Sequence, residues 1–277
     1  MVAVQVDEKT SSKYIQASWI KLHYNDVGTG DPPIIFLHGS GPGASSWSNF
    51  ARNVGVFSQH KRCILLDQPN FGKTDPYVYA EPTGNVNARA VLDTMDALGL
   101  DKAILVGNSM GGGTALTFAV DHPERVEKLV LMGSGGGGGI SLFAHVPSEG
   151  IKVVNDTFDH PSQEQMRKVI DIMLYDGSTV PDEVLGQRLE AFKEEFRIAR
   201  QQSRPVMRNF SADLVNIQAP TLIIHGRNDR VVPYENSLAL VSAIPNSKLV
   251  LFNKCGHWAQ YEHADEFNRL VLDFVLN

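Results

Sequence analysis

Cysteine is scarce in this sequence: only Cys63 and Cys255 occur among its 277 residues. Two thiols so far apart make a poor disulfide framework, which excludes a small, disulfide-stapled secreted domain. The first residues, Met1 to Glu8, lack the basic and apolar regions of a signal peptide. Both observations favour a reducing, intracellular setting, and we expect a cytoplasmic protein.

Four other features are also missing. No apolar run approaches the roughly 20 residues that a membrane-spanning helix needs, so we expect no membrane partner. The 25 basic residues are outnumbered by 31 acidic ones, and no basic cluster occurs, which argues against a nucleic-acid partner. No histidine lies at metal-ligand spacing and no phosphate-binding loop is present, so we expect neither a metal ion nor a cofactor.

Short apolar runs do occur, and several are followed by a turn and a helical pattern. Runs that are apolar on both faces and alternate with helices are typical of a parallel sheet covered on both sides. Ala88–Leu98 has the spacing of one such helix. We therefore predict an open α/β sheet. The runs are Pro33–Leu37, Cys63–Asp67, Ala103–Gly107, Lys128–Met132, Thr221–His225 and Lys248–Phe252.

The alternation of strands and helices stops between Gly133 and about Asn209. Helical patterns at Gln163–Leu174 and Pro181–Arg200 follow, and no strand-like run appears before Thr221. Ligands of open α/β folds bind at the carboxyl edge of the sheet, and a helical insertion there would cover that edge. We predict a core formed by residues 1–133 and 210–277, with residues 134–209 as an inserted helical cap.

The segment Gly107-Asn108-Ser109-Met110-Gly111 has the G-x-S-x-G pattern of a nucleophile elbow. Such a turn leads directly from a strand into a helix, strains its central residue and exposes the serine hydroxyl. A glycine-rich turn with a surface serine is the simpler reading of five residues. The flanking sequence favours the elbow, because a strand is predicted before Ser109 and a helix after it.

A serine hydroxyl needs an adjacent base, and elbow serines are followed along the chain by an acid and then a histidine. Asp229 lies in the loop after one predicted strand, and His257 lies just after the last. Each could instead be an ordinary loop residue. Asp213 and Asp265 are rival acids, but neither follows a strand. We predict Ser109, Asp229 and His257 as a catalytic triad.

Developing negative charge on the substrate would need backbone N–H donors close to the serine. The N–H of Met110 is one candidate, and the glycine-rich loop His38–Gly43 supplies others, from Ser40 and Gly41. A tight loop that only shapes the strand end is the alternative. His38 itself is assigned a structural role, because His257 occupies the position of the base.

At this point the sequence resembles the meta-cleavage-product hydrolases, carbon–carbon bond hydrolases of bacterial aromatic degradation with the α/β-hydrolase fold. The similar segments extend through nearly the whole chain. They include His38–Ala44, Gly107–Gly112 and the stretch Cys255–Gln260. The resemblance implies a substrate of the 2-hydroxy-6-oxo-hexa-2,4-dienoate type, which is cleaved to 2-hydroxypenta-2,4-dienoate and a carboxylic acid. It also implies a homo-oligomer.

The resemblance further implies substrate contacts. Arg188 would bind the dienoate carboxylate, a task that suits a bidentate guanidinium. A solvated arginine among Glu190, Lys193 and Glu194 is the alternative for that position. The remaining candidates for contacts with the substrate are Asn108, Asn49, Ser40, Trp258 and Phe143. The cap segments match the family least, which leaves the acyl side of the substrate open.

Expelling a carbon leaving group requires an electron sink, which ketonisation of the dienol would provide. His257 is a candidate carrier of that proton. Attack on the C6 carbonyl by Ser109 and attack by an activated water both fit the sequence. A carboxylesterase with the same triad is the alternative enzyme, and a non-catalytic ligand receptor on the same fold is the alternative outside enzymes.

Overall fold

The computed structural model describes residues 4–135 and 148–277, so Phe143 lies outside the described residues. The described strands are β1 (Ser12–Gln16), β2 (Lys21–Val27), β3 (Ile34–Leu37), β4 (Cys63–Leu66), β5 (Ala103–Asn108), β6 (Val126–Met132), β7 (Thr221–Gly226) and β8 (Ser247–Phe252). They form one sheet in the order β1-β2-β4-β3-β5-β6-β7-β8. Only the pairings of β1 with β2 and of β2 with β4 are antiparallel. The predicted mostly parallel α/β sheet is confirmed.

The parallel strands at the centre of this sheet are buried on both faces. Every residue of β3, β4, β5 and β7 is buried, as their apolar sequences predict. The antiparallel pair β1 and β2 was not predicted from the sequence. Its strand β1 has only one buried residue, Ile15, so it gives no apolar run to recognise.

Helices cover both faces of the sheet. On one face α2 (Ser46–Phe57) and α11 (Ala264–Leu276) pack around Phe36, Phe50 and Phe267. On the other face lie α3 (Thr83–Ala97), α4 (Met110–Asp121) and α9 (Glu235–Ala243). The shorter helices of the core are α1 (Glu8–Ser11) and α10 (Ala259–Glu262), with 3₁₀ turns at Pro123–Arg125 and Ser211–Asn216.

Among the described residues between β6 and β7, four helices occur: α5 (Glu149–Asp159), α6 (Gln163–Met173), α7 (Asp182–Ala191) and α8 (Glu194–Gln202), with a 3₁₀ turn at Gly177–Thr179. We call α5 to α8 the cap. The helices α5 to α7 share an apolar cluster of their own, which reaches the core at Val231 and Trp258. The domain boundaries given above stay a prediction, but the insertion point of these helices agrees with them.

The cap differs from the sequence prediction in one respect. Pro181–Arg200 has one continuous helical pattern, yet the chain leaves helical geometry at Phe192, whose φ is −80° and ψ is 99°. The break brings the Phe192 ring to 5.5 Å from that of Phe158 on α5. Packing against a neighbouring helix therefore overrides local propensity here. Within the described ranges, no helix combines the length and apolar character required to cross a membrane.

Candidate active site

Ser109 lies between the end of β5 and the start of α4, in a backbone conformation that L-residues rarely adopt. Its φ is 54° and its ψ is −114°. A Cβ on Gly107 would lie 2.4 Å from the carbonyl oxygen of Gly111, and one on Gly111 would lie 2.1 Å from that of Leu37. Only glycine fits either position, so these residues permit a turn that costs about 1–3 kcal/mol of strain.

Asp229 and His257 come from the loops after β7 and β8 and meet at the carboxyl edge of the sheet. Nδ1 of His257 lies 2.7 Å from Oδ2 of Asp229. The other carboxylate oxygen, Oδ1, accepts the N–H groups of Val231 at 2.8 Å and Val232 at 2.9 Å. These two backbone bonds fix the plane of the carboxylate, and the carboxylate in turn orients the imidazole ring.

The charge on Asp229 is stabilised although the group is fully buried. Burial by itself raises the pKa of this carboxyl, but the neighbouring His257 and His225 outweigh that effect and hold the pKa below its ordinary value. Asp229 is therefore ionised at neutral pH and can stabilise an imidazolium at His257.

His225 is a second histidine on the same carboxylate, and sequence reasoning missed its role. Its Nε2 lies 3.0 Å from Oδ2 of Asp229 and 2.9 Å from the carbonyl oxygen of Val232, while its Nδ1 lies 2.6 Å from the hydroxyl of Ser237. Because a carbonyl only accepts, Nε2 carries the proton and donates. No distinctive spacing marks a histidine four residues before an aspartate.

Ser109 and His257 line one cavity beneath the cap, together with Ser40, Gly41, Met173 and Trp258. The Nε2 atom of His257 is buried and has no hydrogen-bond partner among the described residues. It is therefore free to take a proton inside this cavity. The free volume is about 20 Å³, room for roughly one water molecule, so a larger ligand enters only when cap side chains move outward.

Backbone donors surround the serine. The N–H groups of Ser40 and Gly41 find no acceptor within the part of the chain that the structure describes. Met110 is the first residue of α4, where N–H groups have no intrahelical acceptor. The three residues predicted for an oxyanion hole therefore offer unused donors on the same side of the sheet as Ser109.

Arg188, on α7 of the cap, is a buried cation without a counter-ion. Its side chain is only 7% exposed, and no carboxylate of the described residues lies within ion-pair distance. Nη2 donates to the carbonyl oxygen of Pro42 at 3.1 Å, Nε is unpartnered, and the guanidinium lies 5.1 Å from the Trp258 ring. Burial lowers the pKa of Arg188 to about 10, so it stays charged at neutral pH and is poised for an anion.

The loop from Ser40 to Gly43 is shaped to receive the cap at this point. Gly43 has a φ of +66°, and a Cβ there would lie 1.9 Å from the carbonyl oxygen of Arg188. At Gly41 a Cβ would lie 3.0 Å from Nη2 of the same arginine. The glycines of this loop therefore allow the arginine helix to pack directly against the core.

The other predicted contact residues divide into two groups. Asn49 and Trp258 line cavities next to Arg188. Asn108 is fully buried and does not line the catalytic cavity: its amide donates to the carbonyl oxygens of Met132 at 3.2 Å and His257 at 3.4 Å. It therefore connects the elbow to the loop that carries His257, and its contact with the substrate stays a prediction.

A second cavity adjoins the first at Ser40, which lines both. It has a volume of about 260 Å³ and extends past Met110 to Phe158, Phe196 and Arg200 of the cap. Sequence reasoning named none of these cap residues. In the described residues, no cluster of three or more His, Cys, Asp or Glu side chains is arranged to hold a metal ion.

Comparisons with known proteins agree with this geometry. The alpha/beta hydrolase family model matches residues 34–270. A 2-hydroxy-6-oxononadienedioate/2-hydroxy-6-oxononatrienedioate hydrolase of Burkholderia vietnamiensis is 43% identical over 97% of this chain and 96% of its own. A 2-hydroxy-6-oxo-6-phenylhexa-2,4-dienoate hydrolase of Burkholderia cepacia is 45% identical over 99% of each chain.

Solved structures agree as well. A meta-cleavage product hydrolase from Pseudomonas fluorescens IP01, complexed with acetates, superimposes with a TM-score of 0.82 and 37% identity, covering 95% of this chain and 97% of that one. The likeness in sequence and in fold spans almost the full length of every protein compared. The chain therefore belongs to the alpha/beta hydrolase family and, within it, to the meta-cleavage-product hydrolases.

Proposed function

We propose that this protein hydrolyses the C5–C6 bond of 2-hydroxy-6-oxo-hexa-2,4-dienoates, releasing 2-hydroxypenta-2,4-dienoate and a carboxylic acid. The observation that carries the proposal is the buried, unpaired guanidinium of Arg188 beside the cavity that Ser109 and His257 line. A cation without a counter-ion costs stability, which ligand binding repays if the ligand is an anion. The dienoate carboxylate is such an anion, and relatives cleave substrates that carry it.

The residues fall into four roles in this proposal. Ser109, Asp229 and His257 form the catalytic triad. Backbone N–H groups of Ser40, Gly41 and Met110 stabilise the oxyanion at C6. The carboxylate end is held by Arg188, with Asn49 and Trp258 beside it, and Asn108 positions the histidine loop. Phe143 stays a predicted contact outside the described residues.

The chemistry begins with ketonisation. The 2-hydroxyl proton leaves the substrate and C5 gains a proton, with the unpartnered Nε2 of His257 as the carrier. The product of this step is a 2,6-diketone whose C2 carbonyl is conjugated to the C3–C4 double bond. Cleavage of C5–C6 can then deliver its electron pair through that system to the oxygen on C2.

Cleavage follows attack on C6. Oγ of Ser109 loses its proton to Nε2 of His257 and bonds to C6, giving a tetrahedral oxyanion that faces the three N–H donors. Collapse of that oxyanion breaks C5–C6, and the dienolate takes the proton back. Water, activated by the same histidine, then hydrolyses the acyl-serine, so one water is consumed per bond cleaved.

Ser109 is the nucleophile in this mechanism, because its backbone lies in the strained conformation of an elbow. Water attack would require only a free histidine and no such turn. Rapid acid quenching during turnover of the 6-phenyl substrate, followed by peptide mass spectrometry, tests this point. We expect a benzoyl group on the peptide that contains Ser109. Absence of the adduct together with a burst-free release of benzoate would assign the attack to water.

The assay for the overall reaction follows the loss of the yellow dienolate colour. Native protein should bleach 2-hydroxy-6-oxo-6-phenylhexa-2,4-dienoate and release benzoate, and Ser109→Ala should reduce the rate by roughly 10³-fold or more. Cleavage of aryl esters without bleaching would replace the proposal with the carboxylesterase alternative. Tight binding of the dienoate without turnover by native protein would indicate the receptor alternative.

A homo-oligomer and a cytoplasmic setting belong to the same proposal. The resemblance to the family supports the homo-oligomer. The two free, buried thiols, Cys63 and Cys255, support the cytoplasmic setting. Size-exclusion chromatography with light scattering measures the first point. A mass of 30.5 kDa in solution, that of one chain, would contradict it.

A further inference from the structure

We infer that the acyl side of the substrate ends in a carboxylate, which Arg200 of the cap binds, so that the substrates are dienedioates. This inference rests on the proposed function and adds the identity of the group on C6. It concerns the larger cavity that adjoins the catalytic cavity at Ser40.

The position of this cavity matches the acyl side of the substrate. Arg188 lines the catalytic cavity but not the larger one, whereas Ser40 lines both and Met110 lines the larger one. With the dienoate carboxylate on Arg188 and C6 at the N–H donors of Ser40 and Met110, the group on C6 continues into the larger cavity. Its volume of about 260 Å³ accommodates a short chain or a ring.

The lining of this cavity is more polar than an alkyl or phenyl group needs. Phe71, Phe158 and Phe196 supply apolar walls, while Tyr79, Ser203 and Arg200 supply hydrogen-bonding groups. The hydroxyls of Tyr79 and Ser203 already have partners, in Thr83 and in the carbonyl of Ala199. Arg200 is therefore the group in this lining that has N–H donors available for a ligand.

Arg200 lacks a counter-ion. One Nη2 hydrogen goes to Oδ1 of Asn155 at 2.9 Å, and the guanidinium lies 4.3 Å from the Phe158 ring. No ion pair joins Arg200 to any carboxylate of the described residues. The charge of Asp159 acts on Arg200, but its carboxylate lies beyond ion-pair distance. By contrast, Arg197 one turn earlier on α8 is paired with Glu194. Asn155 and Phe158 fix the Arg200 side chain and leave most of its N–H donors free.

A guanidinium held in this way selects a planar anion at the far end of the acyl chain. The chain has one cation for each end of the substrate, Arg188 at the dienoate and Arg200 at the acyl group. A propanoate chain on C6 would reach across such a cavity and would be released as succinate. The dienedioate named for a relative from Burkholderia vietnamiensis has this constitution.

The test compares two substrates that differ only at the last group. One is 2-hydroxy-6-oxonona-2,4-dienedioate. The other is 2-hydroxy-6-oxonona-2,4-dienoate, which keeps the dienoate carboxylate but has an uncharged propyl group on C6. We expect native protein to prefer the dienedioate by about tenfold or more in kcat/KM, since a charge-assisted hydrogen bond is worth roughly that factor at a partly exposed site. Arg200→Met should abolish the preference by raising KM for the dienedioate alone, and Arg200→Lys should retain part of it.

Arg197→Met is the matched control, because it removes the same charge from the same helix away from the cavity. It should leave the preference unchanged. Equal rates with both substrates in native protein, or an equal loss with both in Arg200→Met, would overturn the inference and leave the proposed function standing. Failure of native protein to bleach either substrate or the 6-phenyl compound would overturn both.

Discussion

Replacing Arg188 with methionine should stabilise the unliganded protein and at the same time weaken dienoate binding. The reason is the cost of a buried charge. Burial lowers the pKa of Arg188 from its ordinary 12.5 to about 10, and a pKa unit corresponds to about 1.4 kcal/mol. Keeping the guanidinium charged in this site therefore costs on the order of 3 kcal/mol of folding free energy.

Part of that cost is offset by contacts that methionine would lose. The bond from Nη2 to the carbonyl oxygen of Pro42 contributes about 1 kcal/mol, and the approach to Trp258 contributes about 0.5–1 kcal/mol. Methionine fills most of the same space without a charge. The net expectation is a gain of about 1–2 kcal/mol, or roughly 2–6 °C in Tm for a chain of this size.

Thermal unfolding followed by circular dichroism measures the stability, and the bleaching assay measures KM. Arg197→Met is the control, since Arg197 is already paired with Glu194 at the surface of α8 and its loss should change stability by less than about 0.5 kcal/mol. A lower Tm for Arg188→Met than for the native protein would refute the reasoning, because it would mean that the guanidinium is compensated in the unliganded protein. An unchanged KM would refute the assigned role.

Three further predictions follow from the same structure. Because Arg188 loses its proton as pH rises through about 10, KM for the dienoate should rise above that pH while kcat changes less; a flat KM to pH 11 would contradict it. His225→Phe removes a donor from Asp229, so the Asp229 pKa should rise while the carboxylate stays ionised at neutral pH, and kcat there should fall by about tenfold because the carboxylate that orients His257 is held less firmly. His225→Gln, which keeps an N–H donor, should retain more of the native kcat than His225→Phe. An equal loss of kcat in both variants would indicate a purely structural role for His225. Gly43→Ala forces a Cβ to 1.9 Å from the Arg188 carbonyl oxygen and should cost more than about 2 kcal/mol of stability. Gly99→Ala, at a φ of +65° with open space around it, should cost only about 1 kcal/mol in the same thermal assay.

The structure also links the cap to the loop that carries His257. The backbone N–H of His257 donates to the carbonyl oxygen of Met173 at the end of α6, at 2.6 Å. Glu262, the last residue of α10, accepts the N–H groups of Gly256 and Tyr175, each at 2.6 Å. Movement of the cap to admit substrate therefore acts directly on the histidine loop, and Asn108 holds the other side of that loop.

Much of the fold could be predicted from the sequence alone. The strands β3 to β8 were predicted to within about two residues. For β3, β4, β5 and β7 the reason is that a strand buried on both faces has an apolar run, whereas the edge strand β8 has an apolar run although only Phe252 is buried. The edge strand β1 was missed because only one of its residues is buried, and β2 was missed because its buried run Leu22–Asn25 includes the polar residues His23 and Asn25. The bounds of the cap stay a prediction, and the break in its helical pattern at Phe192 depends on a ring in another helix.

The sequence by itself determined the chemical types present and their order along the chain. The spacing of glycines around Ser109 is a local steric requirement, so a pentapeptide suffices to indicate it. Burial and pairing are not local. The environment of Arg188 is set by a carbonyl group 146 residues away, and the second histidine on Asp229 is recognised only when the loop after β7 folds back on that strand. Only the tertiary structure decides which cations keep a counter-ion, because that depends on which distant segments exclude water around them.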